Sequence, residues 1–214
     1  MKKSYAFAFA VALCFILTAG RAQAQEGTRP GTGYGVGSGS GTKTSGAVMG
    51  QPVADFTLSD VNGQSHTLAS LKGTNGTVLI FISTQCPVSN AYNERMEKLS
   101  QDYKGRGVSV IGINANATES VADVKSHAAA HNLTFTILKD TGSKVADQLG
   151  AMNTPEVFFL DAGGKLVYRG RIDNSKNIQG VNSNDLRDAI DATLAGKPIA
   201  NSFVRAFGCT IKRG

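Results

Sequence analysis

The order of predicted strands and helices in the middle of this chain restricts it to a small number of folds. Two apolar runs, at residues 77–82 and 108–113, predict buried strands. Apolar residues at spacings of four and three follow the first run and predict a helix that ends at Gly105. The series continues with a helix at 119–131, a strand at 134–138 and a short helix at 143–149. This alternation favours a parallel sheet with right-handed crossover connections.

The pattern then changes to antiparallel strands. Residues 157–160 and 166–168 are strand-like and are joined by Asp161-Ala162-Gly163-Gly164, a hairpin turn signal. A last helix is expected to run from the N-cap Ser183 to Gly196. The order βαβ followed by ββα predicts an α/β protein with a thioredoxin-like fold, in which helices flank a mixed central sheet.

The first 24 residues have the composition of a secretory signal. Lys2 and Lys3 precede an apolar run at residues 6–18, and Ala22-Gln23-Ala24 offers a small-residue cleavage site. A membrane anchor is the alternative, but the run is shorter than the roughly 20 residues that a span requires. We therefore expect an exported protein, periplasmic or secreted, that meets the membrane only through its export signal.

The next segment differs in composition from the rest of the chain. Residues 25–50 are dominated by glycine, serine and threonine, and a segment of this kind behaves as a flexible linker. We expect the folded domain at residues 51–200 and a C-terminal tail at 201–214.

Charge, glycines and histidines give little support to other kinds of site. The formal net charge is +6, and removal of the three basic residues of the predicted signal leaves +3 without a basic, aromatic cluster, so no nucleic-acid partner is expected. The glycines near Lys43 lack the order of a phosphate-binding loop.

His127 and His131 lie four residues apart, but spacing supplies no third ligand, so a solvated helix face is favoured. Neither a cofactor nor a metal is predicted.

Cys86 lies at the predicted junction between a buried strand and a helix, a position that favours a reactive thiol. A thiol is a weak nucleophile until it ionises, and the unpaired amides of a helix N-terminus stabilise the thiolate. Pro87 suits the first helical turn because its missing amide would be unpaired there. A cysteine that only caps or packs is the alternative. Because Cys14 leaves with the predicted signal, Cys86 and Cys209 are the cysteines of the mature chain.

Thr154-Pro155, just before the predicted hairpin, is a candidate for a cis peptide bond. By itself Pro155 is also compatible with an ordinary proline at the start of a strand. Its position after the third helix gives it weight, because a cis bond there turns its backbone toward the cysteine of the predicted fold.

From about Met49 to its C-terminus, the chain resembles the peroxiredoxin-like branch of the redoxin family, also called AhpC/TSA, in the thioredoxin superfamily. The matching pieces are Phe56-Thr57-Leu58, Cys86-Pro87, Asn153-Thr154-Pro155, Tyr168-Arg169-Gly170-Arg171-Ile172-Asp173 and Gly208-Cys209-Thr210-Ile211-Lys212. Members often carry Cys-x-x-Cys-Pro, whereas Ser83-Thr84-Gln85-Cys86-Pro87 keeps only the second cysteine. Since Ser83 stands in the first place, the internal disulfide of such a motif is unavailable.

The Ser-x-x-Cys sequence is similar to the Thr-x-x-Cys of peroxiredoxins, in which a hydroxyl and an arginine orient peroxide against the thiolate. The resemblance implies a peroxide site made of Cys86, Ser83 and either Arg169 or Arg171. Peroxiredoxins usually carry a proline earlier on the same strand, where this chain has Leu79. Solvated strand ends are the alternative for the two arginines.

Peroxide converts a thiolate to a sulfenic acid, which a second thiol must resolve. Cys209 is the candidate within the chain, on condition that the fold brings its Cα within about 7 Å of that of Cys86. A structural or unpaired tail cysteine is equally compatible with the count of two.

Three functions remain open. The first is a thiol-dependent oxidoreductase with antioxidant or peroxidase-like activity, which uses Cys86 as nucleophile and needs an external thiol reductant. The second is a single-thiol exchange protein that forms mixed disulfides with exported proteins. The third is a redox-inert binding module that reaches its partner through the linker. Peroxide and protein disulfides are the corresponding substrates of the first two.

Overall fold

The structure is a computed structural model that describes residues 46–214. The predicted signal at 1–24 and the linker up to residue 45 lie outside the described residues. The strands are β1 (Thr57–Asp60), β2 (Ser65–Thr67), β3 (Gly76–Ile82), β4 (Val108–Asn114), β5 (Thr136–Lys139), β6 (Asn153–Thr154), β7 (Glu156–Asp161), β8 (Leu166–Gly170) and β9 (Cys209–Thr210). The helices are α1 (Leu68–Leu71), α2 (Pro87–Asn90), α3 (Asn93–Lys104), α4 (Val121–Ala130), α5 (Lys144–Leu149) and α6 (Asp185–Leu194).

A mixed sheet forms the centre of the described domain, with strand order β2-β1-β5-β4-β3-β7-β8. β3 pairs with β4 in parallel and with β7 in antiparallel orientation. It is buried along its whole length, and its side chains alternate between two hydrophobic clusters: Val78 and Ile80 face one, Leu79 and Phe81 the other. The predicted α/β arrangement with a mixed central sheet is therefore confirmed.

The single helix predicted after Cys86 is divided into α2 and α3. The N–H of Tyr92 bonds to the carbonyl of Ser89 at 3.0 Å, a three-residue closure that ends α2. The Tyr92 hydroxyl is held by Asp173 at 2.7 Å and by the carbonyl of Ser175 at 2.9 Å, so that the ring turns into the core. The break places Cys86 at the start of a four-residue helix.

Two predicted helix starts differ from the structure by one or two residues. α4 begins after Ser120, which forms a reciprocal capping box with Asp123, and Glu119 therefore lies outside the helix. α6 has Asn184 rather than Ser183 at its N-cap. The Ser183 hydroxyl hydrogen-bonds to the carboxylate of Asp185 at 2.9 Å instead of accepting a backbone N–H of the first turn.

The C-terminal tail packs against the domain and contributes a strand to it. β9 pairs antiparallel with β6, in the register that sets Thr154 opposite Cys209. Ile211 is 3% exposed and packs in the cluster that contains Leu79. The N–H of Lys212 donates to Asn116 at 2.7 Å. The tail is therefore fixed at Cys209 and over the three residues that follow it.

At the other end, packing extends to residues that the sequence assigned to the linker. The N–H of Ala47 donates to the carbonyl of Leu149 at 3.1 Å, and that of Gly50 donates to Leu166 at 2.7 Å. Among residues 46–214, no helix combines the length and the apolar character needed to cross a membrane.

Replacement of Ile211 by alanine tests whether the tail is part of the folded domain. Removal of a buried aliphatic side chain costs about 2 to 5 kcal/mol of unfolding free energy, so we expect an Ile211→Ala loss in that range. Urea denaturation of Ile211→Ala and of the neighbouring exposed control Thr210→Ala measures it. A loss for Ile211→Ala no larger than that of the control would show that the tail is dispensable for stability.

Candidate functional site

The Cys86 sulfur is held at the first turn of α2, as the sequence predicted. Cys86 is the N-cap residue, its sulfur accepts the N–H of Ser89 at 3.3 Å, and Pro87 occupies the start of the helix. Its thiol donates to the carbonyl of Thr154 at 3.2 Å. Because α2 has only four residues, individual N–H groups rather than a long helix dipole act on the sulfur. Cys86 is 1% exposed.

The peptide bond between Thr154 and Pro155 is cis, as predicted. Thr154, the first residue of this cis bond, is the strand partner of Cys209. The preceding Gly208 has φ of 146°, and a Cβ built there would lie 2.1 Å from the Thr154 carbonyl oxygen. Only glycine permits this close approach of the tail to the cis-proline segment. The glycine before Cys209 is thus explained by its position against Thr154.

Cys86 and Cys209, far apart in sequence, come together at Thr154, whose carbonyl accepts the Cys86 thiol and whose strand partner is Cys209, and no disulfide joins them in the structure. Burial raises the pKa of the Cys86 thiol, but hydrogen bonds from the Cys209 thiol and the Ser89 N–H outweigh burial, so that this pKa is lowered from its ordinary value. The pKa of the Cys209 thiol is raised, by burial and by the hydrogen bond that it makes to Cys86. Within the pair, ionisation is therefore easier at Cys86 than at Cys209.

Glu119 organises the loop that precedes Cys86, a role that the sequence interpretation missed. Its carboxylate is 2% exposed and accepts hydrogen bonds from the Ser83 hydroxyl at 2.5 Å, the Thr84 N–H at 2.8 Å, the Gln85 N–H at 3.3 Å, the Asn114 amide at 2.5 Å and the Asn116 amide at 2.8 Å. Burial raises the pKa of Glu119, but these hydrogen bonds outweigh it and lower the pKa overall. The Ser120 capping box was the signal in the sequence that could have placed Glu119 before the helix.

Ser83 lies in the loop before Cys86, but its hydrogen bonds are directed to Glu119. Its hydroxyl donates to that carboxylate and accepts the N–H of Gln85 at 3.2 Å. Among the hydrogen bonds of the described residues, none joins Ser83 to the Cys86 sulfur. The predicted arrangement, with this hydroxyl aimed at the thiolate, is therefore not the one that the structure adopts.

The two candidate arginines are each paired with a carboxylate instead of with the thiol. Arg169 donates to Glu156 at 2.9 Å and to the carbonyl of Gly150 at 2.6 Å. Arg171 donates to Asp185 at 2.8 Å. In the described contacts neither guanidinium reaches Cys86. The sequence analysis considered a peroxide site and a solvated strand end for these two arginines. In the structure both form ion pairs instead.

The two histidines considered for a metal lie together at the C-terminal end of α4, where His131 is the C-cap residue. The ring centroids of His127 and His131 are 4.3 Å apart, and His127 is hydrogen-bonded to the Asn93 amide at 3.1 Å. Burial and the neighbouring His131 lower the pKa of His127. Within residues 46–214, no group of three or more His, Cys, Asp or Glu side chains is arranged to hold a metal ion.

Residues 49–169, more than half of the chain, match the AhpC/TSA family. The chain belongs to the AhpC/TSA family. Among curated relatives, the thiol-disulfide oxidoreductase ResA of Halalkalibacterium halodurans is 34% identical over 118 residues, which are 55% of this chain and 65% of that relative. The match thus spans slightly less than two thirds of the relative's length.

Solved structures agree with the thioredoxin-like fold predicted for this AhpC/TSA chain. A hypothetical protein from Sinorhizobium meliloti 1021 is 36% identical, with a TM-score of 0.73 over 78% of this chain and 95% of that one. A putative thiol:disulfide interchange protein DsbE from Chlorobium tepidum is 22% identical, with a TM-score of 0.59 over 69% of this chain and 99% of that one. The second likeness supports the fold alone.

Glu119→Gln tests the buried carboxylate network. A glutamine cannot accept all five hydrogen bonds, so we expect a loss of about 3 kcal/mol of unfolding free energy at neutral pH. Since the pKa of Glu119 is lowered in the folded state, the advantage of the wild type is full above the ordinary glutamate pKa and shrinks as the pH falls through the folded value. Urea denaturation from pH 7 down to pH 3 measures the difference.

The exposed Glu94 supplies the control for this measurement. Glu94→Gln is expected to change stability by less than about 0.5 kcal/mol across the same pH range. Equal and small effects at both positions would contradict the role assigned to Glu119.

Proposed function

We propose that this chain is a thiol-disulfide oxidoreductase whose redox-active thiolate is Cys86, acting on protein disulfides or dithiols and sustained by an external thiol reductant. One observation carries the proposal: the Cys86 sulfur accepts the Ser89 N–H and faces the second thiol, Cys209. A thiolate is the species that attacks or leaves a disulfide, so stabilisation of the Cys86 thiolate is what exchange requires. The names of curated relatives, which include thiol-disulfide oxidoreductases, support the same chemistry.

The contacts around Cys86 favour exchange over peroxide reduction. A peroxide site needs a hydroxyl and a guanidinium directed at the thiolate, but Ser83 is engaged by Glu119, Arg169 by Glu156 and Arg171 by Asp185. Exchange needs neither group. It needs a sulfur whose ionisation is favoured and a second sulfur, the roles that this proposal gives to Cys86 and Cys209.

We also propose that the chain works in an exported compartment. The support is the predicted signal at residues 1–24, together with a two-cysteine mature chain suited to an oxidising environment. Terminal sequencing of the protein recovered from an extracytoplasmic fraction is expected to begin at Gln25. Recovery in the cytoplasm with Met1 retained would contradict this.

The rates of reaction with a disulfide and with peroxide separate the candidate functions. We expect the reduced mature protein to reduce insulin disulfides catalytically in the presence of excess dithiothreitol, because the Cys86 thiolate takes part in each cycle. Cys86→Ser is expected to reduce this rate to the uncatalysed background. Hydrogen peroxide is expected to oxidise the wild type no faster than an ordinary thiol.

Thr84→Ala is a matched control for this assay, because the Thr84 side chain takes no part in the hydrogen bonds of the described loop, whereas its backbone does. It is expected to keep the wild-type rate. Peroxide turnover faster than disulfide turnover would favour the peroxidase instead. A wild type inert toward both oxidants would favour the redox-inert binding module.

A further inference from the structure

We propose that Cys209, not Cys86, is the sulfur on which the mixed disulfide with a partner forms, and that Cys86 is the internal sulfur that pairs with Cys209 to release the partner. This inference rests on the proposed function, because it assigns the two sulfurs of the same exchange reaction. It makes the non-local pair Cys86 and Cys209 the counterpart of a Cys-x-x-Cys motif.

Access is the first argument. Exchange requires that the attacking sulfur approach the sulfur under attack directly, so a buried sulfur cannot meet a disulfide carried by a folded partner. Cys86 is 1% exposed, whereas Cys209 is partly exposed. Of the two sulfurs, Cys209 is the one that a protein can reach.

The anchoring of the tail is the second argument, because Cys86 becomes accessible only if β9 is displaced. β9 is paired with β6, and the N–H of Ile211 bonds to the carbonyl of Met152 at 2.9 Å. The buried Ile211 side chain and the bond from the Lys212 N–H to Asn116 hold the next two residues. Displacement would break all of these contacts, whereas reaction at Cys209 breaks none of them.

The roles of the two sulfurs also follow from the donors around them. In the oxidised protein, a partner thiolate attacks the Cys209 sulfur, the Cys86–Cys209 bond breaks, and its electron pair leaves on Cys86. The Ser89 N–H is in place to stabilise that leaving thiolate. A second partner thiolate then attacks the partner's sulfur in the mixed disulfide, which frees Cys209 as a thiolate that takes up a proton. In sum, the partner dithiol is oxidised to a disulfide and the internal disulfide is reduced, which leaves Cys86 as a thiolate and Cys209 as a thiol.

In the reverse direction the same sulfurs act in the opposite order. Cys209 passes its proton to Cys86, attacks a partner disulfide and expels one partner thiolate. Cys86 then loses that proton to solvent, and its thiolate attacks the Cys209 sulfur, closes the internal disulfide and expels the second partner thiolate. An external thiol, the reductant named in the proposed function, reopens the pair.

A trapping experiment in the mature protein distinguishes the sulfurs. Removal of the resolving cysteine leaves a mixed disulfide that cannot be released, so Cys86→Ser is expected to accumulate a complex with insulin chains through Cys209. We expect at least about tenfold more complex than with Cys209→Ser, because access controls the first step. Non-reducing electrophoresis and peptide mapping identify the linked cysteine. Serine is a strong N-cap, so the Cys86→Ser protein retains its cap on α2.

The outcomes separate this inference from the proposed function. More complex with Cys209→Ser, linked through Cys86, would overturn the roles assigned here while leaving exchange at Cys86 intact. Equal trapping by both variants, or no trapping by either while the wild type turns over, would overturn them as well. No trapping together with a wild type inert toward insulin would overturn the proposed function itself.

A second measurement uses the unaltered reduced protein and so does not depend on how the variants fold. A polyethylene-glycol maleimide, which is too bulky to enter the covered site, is expected to label Cys209 about tenfold faster than Cys86 or more. Faster labelling of Cys86 would show that β9 opens readily and would contradict the inference.

Discussion

The antiparallel pairing of Thr154 with Cys209 is the interaction on which the candidate site depends. It brings a cysteine from the end of the chain onto the cis-proline backbone and covers Cys86, which is otherwise the natural point of attack for a partner. It requires the glycine at 208, because a Cβ there would collide with the Thr154 carbonyl. The burial of Ile211, two residues after Cys209, stabilises this pairing. A single short strand pair thus decides both which sulfurs meet and which of them remains accessible.

The loop before Cys86 explains why the second sulfur comes from the tail. At position 83, where related proteins often carry the first cysteine of a Cys-x-x-Cys motif, this chain has a serine whose hydroxyl donates to the buried Glu119. A thiolate at that position would lie beside a carboxylate, and two like charges in a buried site are strongly disfavoured. The Glu119 network is therefore suited to a hydroxyl and unsuited to an ionised sulfur. Within the described part of the chain, Cys209 is the remaining cysteine that can pair with Cys86.

The sequence predicted the elements whose signals are local and failed where long-range contacts decide. The buried strands, the hairpin and the junction at Cys86 follow from periodicity, turn residues and Pro87, and the cis bond followed from the position of Pro155 in the fold. The helix after Cys86 was predicted as one because its apolar spacing is continuous, whereas Tyr92 is fixed by Asp173, far along the chain. The arginines were assigned to peroxide by resemblance, and only the structure shows that Glu156 and Asp185 engage them. The tail had no periodicity to place it, so the sequence named Cys209 as a candidate partner of Cys86 but left open whether the two residues meet.

The most direct test of this account is a redox titration of the wild-type mature protein in glutathione buffers, followed by acid quenching, alkylation and peptide mapping. The account predicts a single two-electron transition, with a slope of about 30 mV for each tenfold change in the ratio of oxidised to reduced protein. The oxidised form should yield one disulfide-linked peptide pair, which contains Cys86 and Cys209. Oxidised protein that carries glutathione on Cys86 or Cys209, with no peptide linking the two cysteines at any buffer ratio, would contradict it.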